Sequence, residues 1–407
     1  MIIFAVAALI RVVFCIIWNI PPTSDFLSTY EVAGKIAACS LSEWRELLGT
    51  TYTDIWPHIT PYIIYESIII KLFPNKSILV LQIINILASS GTSVLLYKIG
   101  ARIYGETAGV VVSWLYVLNP TVLFFISVLT CQHIALFFLV LGIYILIKQP
   151  YKKPLINLIV AGIAEAISNL FRPEVVIINI ALFCIAIIFS LKKDVKKAVK
   201  SYTVYIISYI SILMATNSIL MGNGIINKSI LNTNMAYKFL VGLNYEHHGT
   251  WNEKDSAMMS EDEEEIWKLV KERLKEPIKI GELIKEKIYI TYGSYTNYSS
   301  YTYWGEENPK SFFQEYILSA LCNGYMLIVI FLSFIKCFTI DTDISVYECF
   351  IVISTLGLCM IFTLIETSNR YSYVIIPFFT LLAGSAWERL DMCIRQRKNM
   401  WLDVGDN

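Results

Sequence analysis

The first residue that could do chemistry is an acid placed close behind a long apolar run. Asp25 follows that run and a Pro21-Pro22 break, near the start of the segment 23–35. Ser and Asp are preferred helix N-caps, so Ser24 or Asp25 could simply accept hydrogen bonds from the first amides of an amphipathic helix. A carboxylate held beside a membrane could instead act as a general base or bind a substrate. The spacing leaves both interpretations open.

Further along the chain, several polar side chains stand at the ends of apolar runs. Arg172 lies in a turn between two of them, where its guanidinium could grip a phosphate through two hydrogen bonds or anchor at lipid headgroups. Arg370 follows Glu366 by four residues, a spacing at which the two could pair with each other or face one cavity with Asp25. His133 could be a general base or a ligand, or a His that merely faces the lipid headgroups.

The composition is that of a membrane protein. Hydrophobic residues make up 56% of the chain and charged residues 16%, with a mean hydropathy of +0.57, whereas soluble domains carry about 25% charged residues. The net charge of zero argues against a nucleic-acid partner. The nine cysteines include no Cys-x-x-Cys pair and lie mostly in apolar runs, which predicts neither a disulfide framework nor a zinc site.

Apolar runs that approach the ~20 residues of a spanning helix predict an all-α polytopic membrane protein. About ten transmembrane helices are expected, within a range of nine to eleven. The runs lie near residues 2–20, 78–99, 107–128, 131–148, 155–170, 175–191, 202–220, 312–335, 346–365 and 371–387. Arg11 falls in the middle of the first run, where an ionisable residue is either functional or packed against a neighbouring helix.

Basic residues predict the orientation of the chain in the cell membrane. They concentrate in one set of loops, which we therefore expect to face the cytoplasm together with both termini: Lys98, Arg102, Lys148, Lys152, Lys153, Lys192, Lys193, Lys196, Lys197, Lys200, Lys336, Arg389, Arg395, Arg397 and Lys398. Within a single membrane domain, 1–407, two longer segments then face outside. Residues 21–77 form a first outer loop with juxtamembrane helices, and residues 221–311 form a helical outer insertion. The site is expected on this outer face.

Taken in order, these landmarks resemble the GT-C class of polytopic glycosyltransferases, and within it the relatives of protein O-mannosyltransferases and bacterial aminoarabinose transferases. Each motif alone is weak, and together they cover nearly the whole chain. The motifs are Ser24-Asp25 with Tyr30 and Ala33, the elbow Trp56-Pro57 to Pro61-Tyr62, the loop Leu129 to His133 after Asn119-Pro120, Arg172-Pro173, Gly242-Leu243-Asn244 with Gly249-Thr250-Trp251-Asn252, and Glu366 to Tyr371 with Pro377.

The resemblance implies a sugar donor carried on a polyprenyl phosphate, and inverting transfer with an acid of the first outer loop as base. On this chain that acid is Asp25. Basic groups would bind the donor phosphate, and other polar groups would orient the sugar or the acceptor. The candidates for the phosphate are Arg172, Arg370 and His133, with Lys35 a poorer one, and those for the substrate are Tyr30, Gln132, Glu366 and Tyr371.

The sequence also departs from this family. Ser24 stands where many relatives have a second acid, and the adjacent prolines of the elbow are split between Pro57 and Pro61. The small insertion points to transfer of a single sugar onto an envelope glycolipid, polymer or protein. No cofactor and no metal are expected, since the outer acids are scattered.

Two other functions stay open at this stage. A transporter or flippase of lipid-linked sugars would place polar residues near mid-bilayer in broken helices. An envelope polymerase or acyltransferase would share the lipid substrates, and an acyltransferase could use His133. Because the polar groups cluster at the outer edge, glycosyl transfer is the leading hypothesis.

Overall fold

The computed structural model describes residues 2–404 except 20, 50, 193, 260, 294–316, 318 and 336–344. This part of the chain is helical and contains no β-strand. The aromatic-rich stretch from Tyr292 to Trp304 is marked by the sequence as a membrane-interface belt or a sugar-stacking platform, and all of it beyond residue 293 lies outside the described residues. The α-helices are α1 Ile2–Ile17, α2 Ser24–Ala38, α3 Trp44–Leu48, α4 Thr51–Ile55, α5 Thr60–Leu72, α6 Ser77–Tyr104, α7 Glu106–Val117, α8 Pro120–Phe124, α9 Gln132–Lys148, α10 Pro154–Phe171, α11 Val175–Lys192, α12 Val195–Gly222, α13 Met235–Gly242, α14 Glu253–Ser256, α15 Glu263–Arg273, α16 Pro277–Ile288, α17 Ser319–Phe334, α18 Val346–Leu364 and α19 Ile376–Val404.

Four of these helices, α6, α10, α12 and α18, are long and apolar enough to cross a membrane. Shorter apolar helices occupy Ile2–Ile17, Glu106–Val117, Gln132–Lys148, Val175–Ile188 and Ala320–Phe334. The predicted all-helical membrane class is therefore confirmed, whereas the count of about ten spans stays a prediction. The third run is interrupted at Asn119-Pro120, as a proline in an apolar run predicts. Pro120 starts α8, and the Asn119 side chain accepts a hydrogen bond from the Val122 amide at 3.3 Å.

The apolar helices pack around one large core that includes Leu96, Val112, Tyr116 and Phe125, each fully buried. Close approach of α6 to α7 depends on glycine. A Cβ on Gly109 would lie 2.6 Å from the Ala101 backbone nitrogen, so a larger residue would push the two helices apart.

The described residues of both predicted outer segments are largely helical, and the two segments contact one another. In the first, α2 packs on α5, and Ala33, Ile36 and Ile63 are buried between them. Next to α5, a 3-10 turn spans Pro57–Ile59, and the preceding Trp56 ring lies 5.8 Å from the ring of Tyr237 on α13. The elbow thus brings the first loop into contact with the insertion.

Within the insertion, α15 opens with the acidic residues Glu263, Glu264 and Glu265, which suit a helix N-terminus, and α16 begins at Pro277. The Asp255 carboxylate ties the insertion together. It accepts hydrogen bonds from Asn244 at 2.7 Å, Asn252 at 3.0 Å and Arg273 at 2.8 Å. Burial works against ionisation of this carboxyl, but the Arg273 guanidinium and the two amides outweigh it and lower the pKa of Asp255.

Candidate active site

The centre of the site is an ion pair between residues 345 positions apart in the sequence. Arg370 Nη1 donates to Asp25 Oδ2 at 2.8 Å. Asp25 lies in the first turn of α2, and Arg370 lies in the 3-10 helix Asn369–Ile375, which leads into α19. The Asp25 side chain is 40% exposed and that of Arg370 19%, so the carboxylate reaches the surface of the cluster.

The local backbone does not use Asp25 as a helix cap. Thr23 occupies the N-cap position of α2 without a side-chain hydrogen bond, and Asp25 is turned toward Arg370 instead. The preceding Ser24 has φ +53°, in the left-handed region that costs an L-residue with a side chain about 1 kcal/mol. A strained residue directly before the acid is typical of a functional turn.

Three cations surround the aromatic ring of Tyr371. The ring centroid lies 5.4 Å from Arg172 Cζ, 5.7 Å from Arg370 Cζ and 5.9 Å from Lys238 Nζ. Each distance is within the range of a cation–π interaction. The Tyr371 hydroxyl donates to Glu366 Oε2 at 3.2 Å. One aromatic side chain therefore gathers cations from three separate elements of the fold.

Within this cluster, Arg172 forms an ion pair with Glu174. Its Nε donates to Glu174 Oε1 at 2.8 Å, and its Nη2 donates to the same oxygen. Burial alone would lower the pKa of the guanidinium, but the Glu174 carboxylate outweighs it and raises that pKa. The second oxygen, Oε2 of Glu174, is buried and makes no hydrogen bond.

Lys238 supplies the third cation from the short apolar helix α13. Its Nζ also lies 5.4 Å from the Trp56 ring centroid. Burial and the nearby Arg172 lower the pKa of Lys238 to about 8, while Glu366 acts in the opposite direction. Burial and the charge of Lys238 hold the pKa of His58 well below its ordinary value. Burial is the larger cause of both shifts, and the neighbouring cations add to it.

Two backbone hydrogen bonds join the extended segment before Arg370 to the insertion. Glu366 N donates to Lys238 O at 2.9 Å, and Thr367 N donates to Gly249 O at 2.7 Å. Gly249 has φ +71°, which glycine adopts without strain. A Cβ on Gly242 would lie 2.3 Å from the Leu364 carbonyl oxygen, so only glycine allows α13 to approach this closely.

Lys287 on α16 binds both segments where α13 meets the end of α18. Its buried ammonium donates to Gly242 O at 2.8 Å and to Ile365 O at 2.6 Å. It thus satisfies carbonyls at the ends of α13 and α18 with charge-assisted hydrogen bonds. Burial lowers the pKa of Lys287 to about 7, and Glu366 opposes that shift.

The other predicted site residues lie around the three cations and Tyr371 rather than among them. Gln132 Nε2 donates to Arg370 O at 2.6 Å, and its Oε1 is buried without a hydrogen bond. His133 is 1% exposed, and its ring nitrogens contact the Tyr373 hydroxyl at 2.9 Å and Phe125 O at 3.0 Å. The Tyr30 hydroxyl bonds to Ser77 Oγ at 2.7 Å, at the start of α6. His133 thus has no ring nitrogen left for a phosphate, and the poorer candidate Lys35 is exposed near the other end of α2.

A second carboxyl lies buried between the first-loop helices. Glu66 on α5 is 0% exposed and faces the hydroxyls of Tyr62 and of Thr29, one helical turn beyond Asp25 on α2. Burial raises the pKa of Glu66 to about 8, and the two hydroxyls oppose that shift. Glu66 therefore lies against the helix that carries Asp25 as a largely protonated acid at neutral pH.

Sequence reasoning did not single out Lys238, Glu174, Glu66 or Lys287. Lys238 is a lone cation in the apolar segment 235–242, a signal that could have marked it.

Among the described residues, no group of three or more His, Cys, Asp or Glu side chains could hold a metal ion.

Comparison with known proteins gives a sequence match over part of the chain. Residues 57–219 match the dolichyl-phosphate-mannose-protein mannosyltransferase family. This region begins at the elbow and includes Gln132, Arg172 and Glu174, and it ends before Lys238 and Arg370. No curated protein matches the sequence.

A solved structure extends the comparison to the fold. The chain is similar to the archaeal oligosaccharyltransferase AglB from Archaeoglobus fulgidus, which was solved in complex with an inhibitory peptide and a dolichol-phosphate. The TM-score is 0.53 at 13% identity, over 99% of this chain and 51% of that one, so the chain spans about half the length of AglB. The predicted resemblance to GT-C glycosyltransferases is thereby confirmed, by sequence over residues 57–219 and by fold over nearly the whole chain.

Proposed function

We propose that this protein is an inverting glycosyltransferase that moves a single sugar from a polyprenyl-phosphate donor to an envelope glycolipid, polymer or protein. The observation that carries the proposal is the convergence of Arg172, Lys238 and Arg370 on the Tyr371 ring, next to Asp25. The family match and the AglB-like fold support the same class of donor.

The cations would bind the phosphate that leaves with the lipid. Arg370 and Arg172 carry planar guanidinium groups that can donate two parallel hydrogen bonds to phosphate oxygens. Lys238 adds a point charge whose pKa of about 8 would rise again beside a dianion. Stabilising the charge that develops on the departing phosphate is the main electrostatic task in such a displacement.

Asp25 would take the proton of the attacking acceptor hydroxyl. Without a donor its carboxylate is held by Arg370 at 2.8 Å. A phosphate that competes for Arg370 would loosen this pair, and the freed carboxylate could then accept a proton as the new glycosidic bond forms. Donor binding and activation of the base would be coupled through one guanidinium.

The supporting residues then divide into two groups. Glu366 and Tyr371 lie in the cluster and would orient sugar or acceptor hydroxyls. Gln132 would act through the Arg370 backbone, and Tyr30 would hold α2 against α6. For His133 we revise the assignment from phosphate ligand to support of the 3-10 helix through Tyr373. As the charge pattern of the loops predicts, the site would lie on the outer face of the cell membrane, with both termini in the cytoplasm.

The proposal is tested by purified protein in detergent or nanodiscs, supplied with a panel of polyprenyl-phosphate monosaccharides and, separately, the matching nucleotide sugars. We expect release of sugar from the lipid donors alone, with inversion at the anomeric carbon and unchanged rates in chelator. Turnover of nucleotide sugars but not of lipid donors would refute it. Loss of turnover in chelator would refute the expectation that transfer needs no metal ion.

The alternative function, a transporter or flippase of lipid-linked sugars, is separated by a second assay. Proteoliposomes with a labelled polyprenyl-phosphate sugar report movement across the bilayer. Flipping without transfer to any acceptor or to water would favour the transporter. We favour transfer because the ion pair and the three cations lie together at one end of the helices and not along them.

A further inference from the structure

Arg11 is a buried cation in the first apolar helix that the proposed mechanism does not use. It is 0% exposed and lies two residues past the middle of α1. Its Nε donates to Ser89 Oγ at 2.8 Å, its Nη1 to Ala7 O at 3.2 Å and its Nη2 to Ser93 Oγ at 3.4 Å. No ion pair joins it to a carboxylate among the described residues. An arginine kept in this setting needs a reason.

The guanidinium stands at one end of a column of neighbouring polar side chains. Its Cζ lies 5.7 Å from the Tyr116 ring centroid. The buried Tyr116 hydroxyl makes no hydrogen bond to any described residue but lies near the hydroxyls of Ser89 and Tyr373, and Tyr373 is within electrostatic range of Arg11. The Tyr373 hydroxyl then reaches His133 Nδ1 at 2.9 Å, and the two rings meet edge to face at 5.3 Å.

At the His133 end of the column, the chemistry of the partners fixes which atom donates each hydrogen bond. A carbonyl oxygen only accepts, so His133 Nε2 carries a proton and donates it to Phe125 O at 3.0 Å. In the neutral imidazole Nδ1 is then the acceptor, and Tyr373 donates to it. The Tyr373 oxygen lies within electrostatic range of the Arg11 guanidinium.

Tyr373 connects this column to the candidate active site because it lies in the 3-10 helix Asn369–Ile375. A 3-10 helix has three residues per turn, so Arg370 and Tyr373 lie on one face of it. Anchoring the Tyr373 hydroxyl therefore sets the rotation of the helix and the direction in which Arg370 points. Gln132, next to His133, holds the same helix at the Arg370 carbonyl oxygen at 2.6 Å.

We propose that Arg11 is a positioning residue for glycosyl transfer, acting through Tyr116, Tyr373 and His133 to aim Arg370 at Asp25 and at the donor phosphate. The inference deepens the proposed function, on which its kinetic test rests. It explains why a buried arginine is retained in an apolar helix: the charge orders a row of hydroxyls that ends on the active-site segment.

The first test does not depend on activity. Amide hydrogen exchange of the purified protein is compared between wild type and Arg11→Met, which keeps an unbranched apolar stem and removes a buried charge. We expect faster exchange within 369–375. Arg102→Met is the matched control, because Arg102 is exposed near the end of α6. Unchanged exchange within 369–375 in Arg11→Met overturns the proposal, whether or not any donor is turned over.

The second test reads the kinetics of folded protein with a polyprenyl-phosphate sugar. Arg11→Met and Tyr373→Phe should each lower kcat/KM by up to about 100-fold, as misplaced reacting groups do. Arg11→Lys should recover part of the loss. Tyr325→Phe, which removes a partly buried hydroxyl bonded to Leu115 O at 2.8 Å, should have little effect.

A double-mutant cycle separates positioning from general damage to the fold. If Arg11 acts through Arg370, Arg11→Met should cost little more in an Arg370→Ala background, so the two effects are not additive. Fully additive losses would overturn the proposal, because a merely structural role lowers activity independently of Arg370.

Discussion

Replacing the buried Glu66 by Gln should change how the stability of this protein depends on pH. The side chain is 0% exposed, and burial raises the pKa of its carboxyl from 4.5 to about 8. Between those two values the folded state binds a proton that the unfolded state has lost. The free energy of unfolding therefore falls as pH rises from 4.5 to about 8. Above that, the contribution of Glu66 no longer changes with pH.

The size of the effect follows from the same two pKa values. One pH unit corresponds to 1.36 kcal/mol, so the ionisation of Glu66 in place costs up to about 5 kcal/mol at pH 8. Glutamine keeps the shape of the protonated acid and cannot ionise. The variant should match the wild type near pH 4.5 and exceed it increasingly up to pH 8.

The assay is thermal unfolding of both proteins in the same detergent at half-unit intervals from pH 4.5 to 8.5. The difference between the two curves isolates Glu66, because every other titrating group is common to both. Glu106→Gln is a matched control, since Glu106 is exposed and accepts a hydrogen bond from Tyr97 at 2.5 Å. A constant difference across this range, or one that falls with pH, would refute the reasoning about the buried carboxyl.

Three further predictions concern the cation cluster and the junction that supports it. Lys238→Gln should weaken binding of polyprenyl phosphate about tenfold or more, measured as displacement of a labelled lipid, and an unchanged affinity would remove Lys238 from the phosphate site. Asp255→Asn should destabilise the fold by about 2 kcal/mol, since it leaves the partly buried Arg273 without its carboxylate; equal unfolding midpoints for the two proteins would contradict this. Lys287→Met should speed amide exchange around Ile365 through loss of its 2.6 Å hydrogen bond, with Lys279→Met, on an exposed lysine of the same helix, as the control.

The sequence predicted the helices better than their contacts. Apolar runs marked α6, α9, α10 and α18 to within a few residues, because burial in lipid or in a core demands them. The Asn119-Pro120 break was legible because proline cannot continue a helix. These features depend on local chemistry, which the order of residues contains.

The arrangement of the candidate site was predicted only in part. That Asp25 and Arg370 share a cavity was one of two alternatives, since a four-residue spacing also allowed Arg370 to pair with Glu366. The spacing rule holds for α-helices, but Ile365 is extended and a 3-10 helix follows it. Lys238 was missed because a lone lysine in a short apolar helix looks the same as one that reaches toward lipid headgroups.

The most direct test of the account is the rate of sugar transfer from a polyprenyl-phosphate donor by Asp25→Asn. Asp54→Asn serves as the matched control, because Asp54 is a partly exposed first-loop acid paired with Lys228 at 2.7 Å. We expect Asp25→Asn to fold, to bind the donor lipid as tightly as the wild type or more so, and to lose transfer by 100-fold or more, on the order expected for a general base. Asp54→Asn should keep its rate. Transfer by Asp25→Asn at the wild-type rate would contradict the account, because the base would then lie elsewhere.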